Sequence, residues 1–238
     1  MATPIGNLQD ITLRAIETLK SVDLIACEDT RVSRKLLDHF GIKKPLISLH
    51  QHSDDRRISE IIESLNRGQN IAYITDSGTP GISDPGQKLV SQIRNPKSEI
   101  LNNIQIQNSK FQTSNEAKKL NVISIPGPSA VTAAISVSGM VNKEFYFAGF
   151  LPKKKGRQTK MIELAKIEVP IVIYESALRL EKTLQDIEKY FGRDCEIFIA
   201  REMTKIYEEY FGGKVSDVLE NIHSHKLKGE IVLLIKHS

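Results

Sequence analysis

The stretch that decides the fold is Asp76-Ser77-Gly78-Thr79-Pro80-Gly81-Ile82-Ser83-Asp84-Pro85-Gly86, which directly follows an apolar run at 71–75. A short apolar run that ends at a cluster of glycine and proline is typical of a buried strand followed by a turn. Two shorter turns of the same kind are Thr3-Pro4-Ile5-Gly6-Asn7 and Pro126-Gly127-Pro128-Ser129-Ala130. In an open α/β sheet, ligands bind beyond the carboxyl ends of the strands, so the three turns together predict a ligand site.

Outward from this turn, short apolar runs alternate with segments of helical periodicity. The runs at 24–27, 45–49 and 71–75 predict strands, and a further strand is predicted at 122–125. Such alternation is typical of a mainly parallel sheet that is covered by helices on both faces. The sequence therefore predicts an α/β domain at 1–144.

The remainder of the chain differs in composition and in the pattern of its predicted elements. Residues 95–121 are polar and aperiodic, and we expect a long surface excursion there. From residue 145 onward, predicted strands outnumber helices. Residues 145–238 are therefore predicted to form a second α/β domain, with a mixed sheet and helices.

Composition narrows the class of protein. The chain has 238 residues, of which 40% are hydrophobic, but no apolar run long enough to cross a bilayer and no secretory signal pattern.

Cys27 and Cys195 lie in apolar runs, as reduced core residues of a cytoplasmic protein would. His50 and His52 could share one side of an extended segment, but residues at such places usually face solvent. We therefore predict no metal site.

The turns exclude several kinds of ligand site. The chain has neither a Walker-type phosphate loop nor a GxGxxG dinucleotide motif. An enzyme of sugar phosphates would be expected to carry Lys or Arg in the turns, and they contain none. The longest turn instead carries Asp76 and Asp84, which suits a ligand that is cationic or rich in hydroxyls and amines.

Several motifs resemble one protein family over nearly the whole chain outside 95–121. They are TPIGN, LIACEDTR, DSGTPGISDPG, PGPSA, GFLPKKKG, YES and ARE, and they resemble the ribosomal RNA small subunit methyltransferase I family. The resemblance implies the two-domain tetrapyrrole-methylase fold, a homodimer, and S-adenosylmethionine bound in the cleft between the domains. It implies methyl transfer to the ribose 2′-oxygen of a cytidine in the decoding region of 16S ribosomal RNA.

The resemblance also implies which residues contact the cofactor. In the first part of the chain they are Pro4, Gly6, Asp76, Ser77, Gly78, Ser83, Ser129 and Ala130. In the second domain they are Tyr174, Glu175, Ser176 and Ala200.

A basic stretch follows the predicted domain boundary. It contains Lys153, Lys154, Lys155, Arg157 and Lys160 without an acidic residue, whereas the whole chain has a formal net charge of only +4. A local patch of this kind at the mouth of a ligand site favours contact with RNA phosphates over a merely solvated loop. Two alternatives remain open: a methylase of a small tetrapyrrole-like molecule on the same fold, and a noncatalytic RNA-binding module.

The catalytic hypothesis concerns a carboxylate that accepts the proton of the ribose hydroxyl. Glu28 and Asp29 both follow the predicted strand at 24–27, and our hypothesis selects Asp29, with Arg31 holding the adjoining phosphate. Asp84 is the rival base. The alternative for Asp29 is a purely structural role as the cap of the next helix.

Two features depart from the family pattern. The family usually begins with an apolar strand directly before the TPIGN turn, and here only Met1 and Ala2 precede it. We expect either a start codon further upstream or a weakened first domain. The excursion at 95–121 is also longer than the link usual in the family at that place.

We predict that residues 95–121 are dispensable for folding, because a polar, aperiodic segment buries little apolar surface. Replacing them with a short Gly/Ser linker should leave the Tm nearly unchanged in a thermal unfolding experiment. A large fall in Tm would show instead that the segment packs against the core.

Overall fold

The computed structural model describes residues 1–50, 55–94, 120–224 and 228–237. The chain divides into two compact units. Each is one continuous stretch of chain, except that the short segment Ile5–Asn7 belongs to unit 2. Unit 1 comprises Met1–Pro4 and Leu8–Pro128, and unit 2 comprises Ile5–Asn7 and Ser129–Ser238. Most of the excursion predicted at 95–121 lies outside the described residues.

Unit 1 is built on a three-stranded parallel sheet in the order β2-β1-β3. Its elements are α1 (Leu13–Ser21), β1 (Leu24–Cys27), α2 (Thr30–His39), β2 (Leu46–Ser48), α3 (Asp55–Asn66), β3 (Ile71–Ile74) and α4 (Gly86–Arg94). Side chains alternate across β1: Ile25 packs with Leu19 and Leu37 on one face, and Ala26 packs with Ile61 on the other. The parallel sheet covered on both faces is therefore confirmed.

The strand predicted at 122–125 is wrong, because this segment has no regular strand structure. The amide of Ala2 donates to the carbonyl of Ile125 at 3.1 Å, and the nitrogen of Met1 donates to the carbonyl of Tyr73 at 2.7 Å. The segment remains open to solvent, with Ile123 76% exposed. A strand requires a ladder of consecutive pairs, and apolar sequence without such a ladder does not form one.

Unit 2 contains a mixed five-stranded sheet in the order β4-β5-β8-β6-β7. Its elements are α5 (Ala130–Ser138), β4 (Tyr146–Phe150), α6 (Arg157–Leu164), β5 (Ile171–Ser176), α7 (Ala177–Phe191), β6 (Glu196–Arg201), β7 (Glu209–Lys214), α8 (Val215–Asn221) and β8 (Glu230–Lys236). Strands β4 and β5 are parallel, and the other pairs are antiparallel. Helices α6, α7 and α8 contribute to one core with Ile173, Ile199 and Leu233, so the mixed sheet expected for this half is confirmed.

The compact units divide the chain between Pro128 and Ser129, whereas the sequence placed a domain boundary between residues 144 and 145. The difference arises because α5 packs against β8 of unit 2. Packing partners that are distant along the chain cannot be read from local periodicity. The domain boundary at 144/145 stays a prediction.

We predict unequal effects for two leucines of α7. Leu180 is 0% exposed in the core of unit 2, and Leu178 is 97% exposed. Leu180→Ala should lower the free energy of unfolding by about 2–5 kcal/mol, because it leaves a cavity. Leu178→Ala should change it by less than about 0.5 kcal/mol. Chemical denaturation of both variants provides the measurement, and equal effects would contradict this packing.

Candidate functional site

The glycine- and proline-rich turns of unit 1 are hydrogen-bonded to one another. Thr3 and Gly78 exchange two backbone hydrogen bonds, of 3.0 and 3.1 Å. The hydroxyl of Thr3 donates to the carbonyl of Thr75 at 3.1 Å. The hydroxyl of Thr79 donates to the carbonyl of Pro128 at 2.8 Å. The structure therefore brings parts of all three turns together beyond the carboxyl end of β3.

The side chain of Asp84 shapes the longest turn from inside. Its carboxylate accepts from the amide of Ile82 at 2.9 Å, from the amide of Gly86 at 2.8 Å and from the amide of Gly81. It also accepts from the Tyr73 hydroxyl at 3.1 Å. A Cβ on Gly86 would lie 2.2 Å from the Tyr73 ring, so only glycine fits there. With four donors already satisfied, Asp84 is placed to hold the turn and poorly placed to accept a substrate proton.

Three other predicted cofactor residues belong to these turns. Pro4 is buried, and Ser77 and Ser83 are exposed. Ser83 has a φ of 63°, in the left-handed region that residues other than glycine seldom adopt. Such strain is retained where the surrounding contacts fix the backbone, as Asp84 does here.

Asp29 is the N-cap of α2, the role that the sequence left open as its alternative. Its carboxylate accepts from the amide of Arg31 at 2.8 Å and from the guanidinium of Arg31 at 2.6 Å. These hydrogen bonds lower the pKa of Asp29 to about 2. A carboxylate with so low a pKa is a weak base, so the geometry supports capping more than proton transfer. The Arg31 side chain itself is 88% exposed.

Glu28 lies at the carboxyl end of β1 and has the opposite electrostatic character. Burial, followed by the negative charges of Asp76 and Asp84, raises its pKa. Burial, together with the nearby charge of Asp29, also raises the pKa of Asp76, although the amide of Asp29 donates to Asp76 at 3.0 Å. Sequence reasoning considered Glu28 and did not select it. The signal that could have favoured it is its place one residue nearer to the buried strand.

Four predicted cofactor residues of unit 2 lie close to one another. Tyr174 and Ala200 both pair with Val232 across the sheet, so the three side chains share one face. Burial raises the pKa of Tyr174 to about 12, an effect that the nearby backbone of Val131, in the first turn of α5, partly opposes. Ser129 and Ala130 are the N-cap and first residue of the same helix.

Glu175 does not join this group, because strand alternation points its side chain to the opposite face of the sheet. Its buried carboxylate accepts from the Ser176 amide and the Thr183 hydroxyl, both at 2.8 Å, and pairs with Arg179 at 3.2 Å. The carboxylate of Glu175 therefore binds residues of α7. Ser176 is the N-cap residue of that helix.

Gly6 is required by a close approach within unit 2. A Cβ at this position would lie 2.6 Å from both Lys205 Cγ and Thr204 Oγ1, and 3.0 Å from the Met203 carbonyl oxygen. The neighbouring amide of Asn7 donates to the Thr204 hydroxyl at 3.0 Å. These contacts explain the glycine by packing, without a ligand.

The five residues of the basic stretch have different surroundings. Lys153, Lys154 and Lys155 are exposed in the loop between β4 and α6. Arg157 instead forms a largely buried ion pair with Asp186 at 2.7 Å. Lys160 lies over the Tyr146 ring at 5.6 Å and pairs with Glu163 at 3.7 Å. The three consecutive lysines therefore form the most accessible part of the stretch.

The described residues contain no group of three or more side chains arranged to hold a metal ion, and His52 lies outside them. Cys27 and Cys195 are buried thiols, and burial raises the pKa of Cys195 to about 11. Within the described ranges, no helix is both long and apolar enough to cross a membrane.

Comparison with known proteins places these features in a family. Residues 2–107 match the family model described as Tetrapyrrole (Corrin/Porphyrin) Methylases. A protein of Thermotoga maritima named ribosomal RNA small subunit methyltransferase I is 42% identical over 235 residues, which are 99% of this chain and 96% of the relative. Proteins of the same name from Haemophilus influenzae and Bacillus subtilis are 41% and 38% identical, over 99% of this chain and 77% and 73% of their own lengths.

Solved structures confirm the expected fold. Uroporphyrin-III-C-methyltransferase from Thermus thermophilus superposes with a TM-score of 0.62 at 13% identity, over 98% of this chain and 91% of that chain. A cobalt precorrin-4 methyltransferase of cobalamin biosynthesis superposes with a TM-score of 0.61 at 14% identity, over 99% and 92%. Identities this low show a common fold and carry no information on substrate.

Proposed function

Because the chain belongs to the ribosomal RNA small subunit methyltransferase I family, we propose that it transfers the methyl group of S-adenosylmethionine to the ribose 2′-oxygen of a cytidine in 16S ribosomal RNA. The observation that carries this proposal is the 42% identity to the Thermotoga maritima protein over 99% of the chain. The proposal includes a target in the decoding region of the small ribosomal subunit, a homodimeric enzyme and a cytoplasmic location.

The long turn fits the charge of the proposed cofactor. S-adenosylmethionine, when bound, supplies an electrophilic methyl group on a cationic sulfonium. Residues 76–86 include two carboxylates and no Lys or Arg, so they place no like charge beside it. We assign the cofactor contacts to Pro4, Asp76, Ser77, Gly78, Ser83, Ser129, Ala130, Tyr174, Ser176 and Ala200. Gly6 and the side chain of Glu175 are left out, since their contacts within unit 2 already account for them.

Proton acceptance is assigned to Glu28 in preference to Asp29. A general base is most effective when its pKa lies near the working pH, and only Glu28 of this pair has a raised pKa. Asp29 then holds the start of α2, and with it the position of Arg31. The exposed guanidinium of Arg31 is proposed to contact a phosphate next to the target ribose.

We predict that Glu28→Gln reduces the single-turnover rate of methyl transfer by at least ~10²-fold, because the variant cannot accept the proton. Asp29→Asn, which retains most capping ability, should reduce it far less. Calorimetry with S-adenosylmethionine serves as the control and should give similar affinities for both variants. In the unmodified protein, the rate should rise with pH until Glu28 is fully deprotonated.

The opposite ranking would contradict this assignment. If Asp29→Asn abolishes transfer while Glu28→Gln hardly changes it, the base is Asp29, as the sequence hypothesis had it. If neither variant slows the chemical step, the carboxylates at the end of β1 are not the proton acceptor.

We predict that the three exposed lysines supply phosphate contacts. Replacing Lys153, Lys154 and Lys155 together with Gln should lower the magnitude of the log–log salt slope of RNA binding by about 2–3 units, since each lost phosphate contact removes somewhat less than one unit. The matched control replaces three exposed lysines of unit 1, Lys20, Lys35 and Lys43, with Gln. Equal slopes for the two triple variants would refute a specific role for the loop.

The reaction itself is tested by transfer of labelled methyl groups to small ribosomal subunits from cells that lack the gene. The label should appear on one cytidine, in a dinucleotide that resists alkaline hydrolysis because its 2′-oxygen is methylated. Label on a base, or on a small tetrapyrrole offered in competition, would overturn the proposal. Binding of RNA without any transfer would support the noncatalytic module.

A further inference from the structure

A buried polar network lies under α7 in unit 2, next to the loop that carries the exposed lysines. Thr183, which is fully buried, donates to Glu175 at 2.8 Å and accepts from the Arg157 guanidinium at 2.8 Å. Arg157 also donates to Asp186 at 2.7 Å. Burial alone would raise the pKa of Asp186, but hydrogen bonds from Arg157 and Lys182 outweigh it and lower that pKa.

The network also contacts the backbone of the loop at 151–156, which carries Lys153, Lys154 and Lys155. Arg157 donates from its guanidinium to the carbonyl of Pro152 at 3.2 Å, and from its amide to the carbonyl of Lys154 at 3.2 Å. Arg179, the partner of Glu175, donates to the carbonyl of Leu151 at 2.8 Å. Three loop carbonyls are therefore fixed by two arginines.

Stability alone gives a weak reason for such a network. Buried ion pairs lose much of their Coulombic gain to desolvation, and apolar residues of similar volume often stabilise a core equally well. Directional hydrogen bonds do fix geometry, however. A loop whose backbone is already ordered loses less conformational entropy when it binds a charged partner.

We propose that Arg157, Thr183 and Glu175 are positioning residues for substrate RNA. They hold the backbone of residues 151–156 so that Lys153, Lys154 and Lys155 meet successive phosphates at a fixed spacing. This inference rests on the proposed function, because it assigns the network a role only through the lysines.

The test is a double-mutant cycle between the network and the lysines. Thr183→Val removes the central hydroxyl with little change in shape, and Thr183→Ser keeps it. Thr183→Val should weaken binding of a small-subunit RNA fragment by about 3–10-fold, and Thr183→Ser should bind normally. Affinity for S-adenosylmethionine should not change. In the background of the triple lysine-to-glutamine variant, Thr183→Val should cause no further loss.

Trypsin gives an independent readout of the loop, since it cleaves after lysine. Cleavage at 153–155 should be faster in Thr183→Val than in Thr183→Ser or the unmodified protein. If Thr183→Val does not fold, Arg157→Lys takes its place, because a lysine retains the charge but lacks the fork that reaches both Asp186 and Thr183.

The outcomes separate this inference from the proposal on which it rests. Normal RNA binding by the lysine variant would overturn both the role of the loop in RNA binding and the positioning role. A strong lysine effect combined with unchanged binding by Thr183→Val would overturn the positioning role alone. Equal losses in both lysine backgrounds would also overturn it, since the network would then act on RNA by another route.

Discussion

Two backbone hydrogen bonds between Thr3 and Gly78, together with the hydroxyl of Thr3 on the carbonyl of Thr75, hold the first turn of the chain against the long turn after β3. The bond from Thr79 to Pro128 adds the third turn. Because each of these bonds ends on a main-chain carbonyl, they fix the backbone that a ligand would meet before any ligand is bound. Preorganisation of this kind reduces the entropy lost on binding.

The carboxylates around the end of this sheet have different physical roles. Asp84 satisfies the amides of its own turn, and Asp29 satisfies the start of a helix and a neighbouring guanidinium. Each is therefore used in holding the backbone. Glu28 and Asp76 are left with raised pKa values, because burial and neighbouring negative charge both disfavour their ionised forms. This difference supports the proposal that Glu28 accepts the proton and that Asp76 contacts the cofactor, while Asp84 and Asp29 hold the backbone.

The sequence predicted what local periodicity and turn chemistry determine: both sheets, the helices around them and the three turns. It failed where the outcome depends on pairing between distant residues. Residues 122–125 have the composition of a strand but lack a ladder partner along their length. Arg157 belongs by sequence to a basic stretch, yet Asp186 and Thr183, brought close by α7, take up its guanidinium. The cofactor contact expected for Glu175 stays a prediction, although strand alternation places its side chain on the opposite face of the sheet from Tyr174.

The central claim is that Asp84 holds the long turn in the shape that binds the cofactor. Its most direct test is calorimetric binding of S-adenosylmethionine to Asp84→Asn, with Tyr73→Phe as a milder perturbation of the same contact. If Asp84 acts by holding the long turn, the affinity should fall by at least ~10-fold, since a charge-assisted hydrogen bond within the turn is lost. Tyr73→Phe should cause a smaller loss in the same direction. Unchanged affinity together with a collapse of the single-turnover rate would contradict this view and would identify Asp84 as a catalytic base.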